Sequence, residues 1–408
     1  MGLVKSHPRM TRFNRVKYHR DRPVEDYERL LDVHRQTLRT AGHRPRTSAS
    51  TVARSTASRM RRSLADAREY GAVVRRVAGV PVWKQAAWTF VLWSRYGLEP
   101  KDFYKFKLFD KDNRSKSKFY LRGAIDANLS SLVMDRVRPG NRVLDDKVEF
   151  FRACQDRDVP SVDLVASFVN GDVTWHAPSA QLPARDLFAK PVQGDSGRGA
   201  QLWTYKSGAY VSEAGDRVTA EFLVASLAER SKTMAYILQP RLQNHPALAA
   251  ISSGGLSTVR LVTALGVPQG EPTLEVAVLR MAATSSTVDN FGEGGLAAPV
   301  DFETGRLGPA VKKDLPDAVL DFETHPSTGH RIAGALVPCW AEVVETGLRA
   351  HRAFRDLRVV GWDVAVTTEG VVVVEGNARP CSNLSQQPGS RPLGLTSIPG
   401  IYLRALEA

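Results

Sequence analysis

The segment GWDVAVTTEGVVVVEGNARP, residues 361–380, carries two acids inside valine-rich runs. A three-residue loop ending at Gly370 predicts a β-hairpin whose pairing is symmetric about Glu369. Asp363 then lies opposite Glu375, with β-carbons about 5 Å apart, and the two carboxylates repel each other unless positive charge lies between them. The hairpin therefore predicts a cation at this position.

Asn377 follows Glu375 by two residues and returns to the same face, because side chains alternate along a strand. Carboxylate and amide oxygens suit Mg²⁺, whose remaining ligands are usually phosphates and water. The alternative is structural: one acid pairs with a nearby arginine and the other is exposed at the strand end. The hairpin by itself leaves both interpretations open.

A second segment, FAKPVQGDSGRGAQL, places Lys190 on a strand and three glycines, Gly194, Gly197 and Gly199, in the loop that follows. Backbone amides of such a loop can surround phosphate oxygens while the lysine supplies a point charge. No GK[ST] follows, so this is not a Walker A loop. A tight hairpin between Lys190 and Trp203 would use the same residues without binding phosphate.

Two arginines are also placed symmetrically about a predicted turn. Arg260 in STVRLVT and Arg280 in VAVLRMA are symmetric about Gly270, so a regular hairpin would align both guanidinium groups on one face. Like charges in register are unfavourable unless an anion spans them, and a triphosphate or a carboxylate is such an anion. A one-residue slip would place the two side chains on opposite faces.

The elements that must position these side chains are strands joined mainly by short hairpins, with helices between them. Helical patterns appear in LDDKVEFFRACQDRDVP, VTAEFLVASLAER and WAEVVETGLRAHRAFRDL. Strand patterns appear in SVDLVASFV, DLFAKPVQ, MAYILQPRL and STVRLVTALGVPQGEPTLEVAVLRMAA. This alternation predicts an α+β fold with largely antiparallel sheets.

The N-terminal third differs in composition. Residues 1–60 are basic, and Thr40–Ser58 is predicted to be a loop or disordered link. Residues 60–135 are predicted to be helical, with apolar residues concentrated in VPVWKQAAWTFVLWSRYGL. We expect this stretch to pack against the following domain, and the alternative is an amphipathic helix lying on a membrane.

The charge of the chain is concentrated in the same region. Residues 1–150 hold 33 Lys and Arg against 16 Asp and Glu, although the whole chain has a net charge of only +13. Such a surface suits an anionic partner, a membrane surface or nucleic acid, or it is a solvated helical face. No nucleic-acid-binding module accompanies it, so we give nucleic acid little weight.

The chain shows no signal peptide and no apolar run long enough to span a bilayer, which predicts a cytoplasmic protein. The three cysteines, Cys154, Cys339 and Cys381, fit no zinc pattern and are predicted to be reduced thiols.

These motifs, in this order along the chain, resemble those of the ATP-grasp superfamily. The chain is most similar to the sugar-transfer associated ATP-grasp proteins, over roughly residues 95–395. The similarity includes YGLEPKDFYKFKLF before the nucleotide region and HPSTGHRIAGALVPCW after it. It implies the ATP-grasp fold, in which two α+β subdomains with largely antiparallel sheets clasp ATP.

The resemblance also implies roles for individual residues. The nucleotide would be bound by Lys147, Lys190, Gly194, Gly197, Gln239, Pro240, Arg241 and Leu242. Of these, the two lysines hold phosphates and Gln239 to Leu242 form the hinge whose backbone reads adenine. Arg260 and Arg280 would be catalytic and face the transferred phosphate or the acyl group. Asp363, Glu375 and Asn377 would be the ligands of Mg²⁺, with Mn²⁺ as the alternative metal.

The implied division of the chain has four parts. A basic, partly disordered segment (1–60) and a helical region (61–140) precede the small, lid subdomain (141–240) and the large subdomain with the metal site (241–400). Many members carry a Rossmann-like domain before the nucleotide region, and this chain lacks the strand and glycine alternation of that domain.

The activity implied is ATP-dependent ligation of a small-molecule carboxylate to an amine or related nucleophile through an acylphosphate, with release of ADP and phosphate. The family's association suggests sugar, polysaccharide or secondary-metabolite assembly. Two alternatives remain: phosphorylation of a hydroxyl or sugar at the same site, and a non-catalytic nucleotide-binding scaffold.

Overall fold

The computed structural model of the protein describes residues 22–40, 49–121, 143–193, 199–266, 270–284 and 291–407, together with Leu129, Ser131 and Val133. The α-helices are α1 (Arg22–Thr40), α2 (Ala49–Ala78), α3 (Val82–Tyr96), α4 (Pro100–Lys105), α5 (Lys111–Ser115), α6 (Lys147–Asp156), α7 (Ala220–Ser231), α8 (Pro246–Ala249), α9 (Trp340–Ala353), α10 (Ser382–Gln386) and α11 (Ile398–Glu407).

The first sheet has seven strands in the order β2-β1-β7-β3-β4-β5-β6, all paired antiparallel. Its strands are β1 (Ala166–Val169), β2 (Asp172–Trp175), β3 (Leu187–Pro191), β4 (Gln201–Lys206), β5 (Ala209–Ser212), β6 (Arg217–Val218) and β7 (Tyr236–Pro240). The predicted turn at Asn170 and Gly171 joins β1 to β2. Both residues have positive φ, 54° and 94°, as an Asn-Gly hairpin turn requires.

The second sheet has six strands in the order β11-β10-β9-β8-β12-β13, again all antiparallel. Its strands are β8 (Thr258–Ala264), β9 (Thr273–Met281), β10 (Leu296–Pro299), β11 (Val311–Lys312), β12 (Val359–Thr367) and β13 (Gly370–Asn377). The predicted α+β class with largely antiparallel sheets is confirmed.

The two faces of the six-stranded sheet have different covers. One face packs Leu261 and Trp362 into the same core as Val343 and Ala350 of α9. The opposite face packs apolar residues such as Val262 into a core shared with α1 and α11. Both central strands, β8 and β12, are therefore buried along their whole length.

Helix α1 belongs to this second core. Tyr27 and Leu30 are 3% and 1% exposed and lie in the cluster that contains Ile401 of α11. Residues 22–40 are thus a helical cover of the six-stranded sheet within the segment, residues 1–60, that was predicted to be basic and partly disordered. The reason is the apolar stripe of α1, which the sheet buries.

The predicted loop at Thr40–Ser58 is also wrong in part, because α2 begins at Ala49. Helices α2 and α3 form an antiparallel hairpin, and Tyr70, Val74 and Leu92 share a core with the segment that follows. Gln85 is fully buried and donates hydrogen bonds to Val80 O at 2.8 Å and Gly71 O at 3.0 Å. Among the described residues, no helix combines the length and apolar character needed to cross a bilayer.

Candidate functional site

The β12–β13 hairpin brings Asp363 opposite Glu375, as the sequence predicts. The predicted loop is wrong: Thr367 pairs with Gly370, so the loop has two residues instead of three. The register then shifts between Asp363 and Val364, where one additional residue of β13 bulges out of the ladder. The bulge offsets the shorter loop by one residue, so both carboxylates return to the same face.

Asp363 is buried, at 2% exposed, and both of its oxygens accept hydrogen bonds from arginines. Arg260 donates from Nε to Oδ1 at 2.6 Å and from Nη2 to Oδ2 at 3.0 Å. Arg280 donates from Nη1 to Oδ2 at 2.8 Å. The anion that joins the two predicted arginines is therefore Asp363 of this same chain. The structural alternative is met for this acid, but Glu375 is half-buried and not exposed as that alternative requires.

The register that produces this triad differs from the predicted one. Arg260 pairs with Val278, and Arg280 pairs with Thr258, so the arginines are two positions out of direct opposition. A slip of two residues preserves the face because side chains alternate with period two. Arg260 lies directly beside Asp363 across the β8–β12 pair.

The two acids differ in electrostatics although they face each other. Burial alone would raise the pKa of Asp363, but Arg260 and Arg280 outweigh it and hold this pKa below its usual range. Burial and then the charge of Asp363 raise the pKa of Glu375. Glu375 is therefore the carboxylate on which a further cation would act most strongly.

The side chains predicted to hold Mg²⁺, Asp363, Glu375 and Asn377, lie together and carry oxygen atoms of the type that Mg²⁺ binds. Asn377 directs its Nδ2 toward Glu375 Oε1 at 3.5 Å and Gly361 O at 3.4 Å, so its side chain is on the predicted face. Both oxygens of Asp363 accept hydrogen bonds from arginines, and Asn377 turns its Nδ2 toward Glu375, so Glu375 is the acid of this face without an arginine partner at hydrogen-bond distance among the described residues. Within the described residues, no group of three or more His, Cys, Asp or Glu side chains forms a metal site.

Lys190 on β3 lies on the other sheet but acts on the same charges. The pKa of Lys190 is lowered to about 8. Burial is the main cause, the charge of Glu375 acts in the opposite direction, and the charge of Lys147 lowers this pKa further. Lys147 is the first residue of α6, whose N-terminus Asp146 caps, and its Nζ donates to Val192 O at 3.1 Å. The structure thus brings both predicted phosphate-binding lysines to one place.

The predicted hinge, Gln239 to Leu242, leads out of β7 toward the six-stranded sheet. Gln239 is buried, and its side chain donates weakly to Val162 O at 3.5 Å. Pro240 has no N–H, and the N–H of Arg241 donates to Asp186 O at 2.9 Å. In the described part of the chain no acceptor takes the N–H of Leu242, which leaves it available to a nucleobase.

Of the predicted glycines, Gly194 and Gly197 lie outside the described residues. Gly199 is described, and its φ of 77° requires glycine-like freedom. The choice between a phosphate-binding loop and a tight hairpin at this position therefore stays a prediction.

Sequence reasoning missed three supports of the site. Asp186 pairs with Arg241 at 3.2 Å and fixes the hinge. A β-carbon at Gly361 would lie 3.0 Å from Arg260 Cδ, so glycine gives the arginine room to reach Asp363. Beneath the hairpin, Trp362 Nε1 donates to Thr263 Oγ1 at 2.9 Å. In the sequence, the signals for two of these supports were Gly361 and Trp362, which directly precede Asp363.

Two antiparallel sheets and a largely buried cluster of lysine, arginine and carboxylate groups define an ATP-grasp fold with its charged centre. The sequence profile of the sugar-transfer associated ATP-grasp family matches residues 136–396, and the chain belongs to this family. The predicted family and fold are confirmed. No curated protein sequence matches the chain.

Solved structures with a similar fold are ligases and synthetases of low sequence identity. D-alanine-D-alanine ligase from Coxiella burnetii is 12% identical, with a TM-score of 0.37, over 69% of this chain and 66% of that one. L-amino acid ligase from Bacillus licheniformis is 13% identical, with a TM-score of 0.37, over 65% and 48%. N5-carboxyaminoimidazole synthetase from Staphylococcus aureus, complexed with ADP, is 10% identical, with a TM-score of 0.32. The match spans 58% of this chain and only 44% of that synthetase.

Proposed function

We propose that this protein is an ATP- and Mg²⁺-dependent cytoplasmic ligase that joins a small-molecule carboxylate to an amine or related nucleophile. The reaction would pass through an acylphosphate and release ADP and phosphate. The observation that carries the proposal is the buried charge cluster, in which Asp363 and Glu375 face two arginines and, from the other sheet, Lys190.

The charges of this cluster match the demand of the reaction. An anionic carboxylate must approach an anionic γ-phosphate, so positive charge has to offset both. Lys147 and Lys190 would hold nucleotide phosphates, and Arg260 and Arg280 would face the transferred phosphate or the acyl group. Both arginines are already held in place by Asp363, which preorganises them.

Glu375 and Asn377, with Asp363 beside them, would hold Mg²⁺. The bound metal neutralises charge on the nucleotide phosphates and on the carboxylates. Asp363 has both oxygens engaged by arginine N–H groups, whereas the raised pKa of Glu375 marks a carboxylate that lacks enough positive charge. We therefore assign the larger share of metal binding to Glu375.

The family to which the chain belongs suggests the setting of the reaction. We propose an acid or amine drawn from sugar, polysaccharide or secondary-metabolite assembly. The proposed reaction needs no Ser-His-Asp or Cys-His arrangement, because phosphoryl transfer of this kind gains mainly from positioning and electrostatics.

The test is ADP release with Mg²⁺ and ATP over pooled carboxylic acids and amines. An active pool should yield free phosphate and an amide or related product. Glu375→Gln should lower this turnover at least about tenfold, because it removes a charged metal ligand. The matched control is Glu369→Gln, the same substitution in the exposed loop of the same hairpin, which should leave turnover unchanged.

The products also separate the alternatives. Phosphate retained on a hydroxyl or sugar would show a phosphotransferase instead of a ligase. ATP binding without turnover over the whole panel would show a nucleotide-binding scaffold. Full activity of a folded Glu375→Gln variant would contradict the proposed metal site.

A further inference from the structure

The turn between α2 and α3 forms an exposed tip at residues 75–84, called here the hairpin tip. It lies outside the part of the chain that the family profile matches, residues 136–396. Trp83 is 71% exposed and Val77 is 41% exposed, whereas apolar side chains of this size are usually buried in a monomer. The tip therefore presents apolar surface for which the ligase activity gives no reason.

The same tip is strongly basic. Arg75, Arg76 and Lys84 are all exposed, and no acid occurs between Glu69 and Glu99. Over residues 49–96 the sequence has nine Lys and Arg against two acids. Exposed apolar side chains and exposed cations therefore alternate within ten residues at one end of the helical hairpin.

The tip is held in a fixed shape. Gly79 has a φ of 68°, which ends α2 and allows α3 to begin three residues later. The buried amide of Gln85 donates to carbonyls on both sides of this turn, at Gly71 and Val80. Lys84 Nζ lies 4.9 Å from the ring centroid of Trp88, which keeps its charge beside the tip. Docking would therefore cost little ordering of the chain.

This combination selects a particular partner. Tryptophan prefers the boundary between headgroups and acyl chains, because its ring is apolar and its N–H is polar. Exposed Lys and Arg are attracted to the negative charge of an anionic leaflet. Nucleic acid would engage the cations but leave Val77 and Pro81 exposed to water. We propose that the hairpin tip docks this protein on the surface of an anionic phospholipid bilayer, without spanning it.

The experiment is flotation of the full-length protein with vesicles. We expect binding to vesicles of equal parts phosphatidylcholine and phosphatidylglycerol, weakening as salt is raised, and little binding to phosphatidylcholine alone. Arg75→Glu with Arg76→Glu should weaken binding about twentyfold or more, which corresponds to the loss of two headgroup attractions. Lys206→Glu with Lys232→Glu, an exposed pair on the seven-stranded-sheet subdomain, is the matched charge control and should bind normally.

The apolar part has its own readout. Trp83→Ala should weaken vesicle binding roughly tenfold, whereas Phe222→Ala, at a position that is 61% exposed on α7, should not. Addition of anionic vesicles should shift the tryptophan emission of the wild type to the blue, and Trp83→Phe should lose that shift. Circular dichroism checks that each variant is folded.

Three results would overturn this inference: no binding to anionic vesicles at low salt, equal binding by the tip variants and their controls, or displacement of the vesicles by duplex DNA at stoichiometric amounts. ADP release in solution should be the same for the wild type and the tip variants. Failure of docking is thus distinguishable from failure of the proposed ligase activity.

Discussion

The two sheets contribute to the candidate site in different ways. In the six-stranded sheet, the charged residues hold one another: Asp363 binds Arg260 and Arg280 through three hydrogen bonds at 3.0 Å or less. In the seven-stranded sheet, Lys190 is placed near these charges, but burial lowers its pKa to about 8. In the first set an anion lies at hydrogen-bond distance from both arginines, whereas in the second set burial dominates the pKa of the lysine.

The difference indicates what each half does. The hydrogen bonds of this buried triad keep the arginines in a fixed geometry, and removal of its carboxylate would leave buried charge without a partner. A lysine that loses hydration without full compensation gains most when an anion arrives, because a phosphate then supplies the missing charge. We therefore propose that the six-stranded sheet preorganises the arginines for the reaction and that Lys190 of the seven-stranded sheet responds to the nucleotide.

The strongest test of this contrast is Asp363→Asn. The change leaves two buried guanidinium groups without their anion, and breaking a buried pair in this way costs about 3 to 5 kcal/mol. Urea unfolding should show this loss in the free energy of unfolding. The exposed pair of Arg185 and Glu369, broken by Glu369→Gln, should show no measurable loss. Equal effects of the two substitutions would mean that the triad does not stabilise the sheet.

A second test concerns the layer beneath the hairpin. His351 on α9 is fully buried, and burial lowers its pKa to about 4. Its Nδ1 lies 2.6 Å from Thr263 Oγ1 and its Nε2 lies 3.1 Å from Leu357 O. The folded state therefore binds this proton less tightly than the unfolded state, so stability is full above pH 6.5 and falls as the pH drops toward 4.

At pH 5, the lowered pKa of His351 reduces the free energy of unfolding by about 2 kcal/mol relative to neutral pH. Urea unfolding at pH 7 and pH 5 measures the loss, and His351→Gln should have a smaller difference between the two pH values. The same pH dependence in both proteins would assign the acid sensitivity to other groups.

A third, smaller effect concerns Lys190. Lys190→Ala should raise the ATP concentration needed for half-maximal turnover by about tenfold, since it removes one phosphate contact. The melting temperature without nucleotide should stay the same or rise, because the substitution removes a desolvated charge. Thermal shift with and without ATP measures both quantities. A loss of stability without nucleotide would mean that Lys190 is structural, and the contrast between the sheets would fail.

Much of the site could be predicted because strand alternation is local. Asp363 and Glu375 were placed on one face from the spacing of the hairpin, and Arg260 and Arg280 from the spacing of theirs. Both predictions of face were right, although the predicted loop of the β12–β13 hairpin and the predicted register of β8 with β9 were wrong. In the β12–β13 hairpin the loop is one residue shorter than predicted, and a one-residue bulge compensates for it. In the pairing of β8 with β9 the register is shifted by two residues, which keeps each side chain on its predicted face.

Other parts needed the assembled molecule. Helix α1 was assigned to a basic, partly disordered segment without a predicted helix, because a basic, polar sequence gives little sign of the sheet that will cover its apolar stripe. Two arginines from neighbouring strands bind Asp363, whereas the sequence offered an arginine partner only as the alternative to a metal. Neither outcome follows from spacing, since each depends on which elements become neighbours.

The sequence by itself determined the residue types, the period-two faces and the order of motifs that define the family, because these properties are set within a few residues of one another. The tertiary structure alone decided which charges neutralise which: β8 lies beside β12, so Arg260 reaches Asp363, and β3 of the other sheet brings Lys190 to Glu375. Electrostatic energies depend on distance and burial, and both are fixed only when strands distant in sequence pack together.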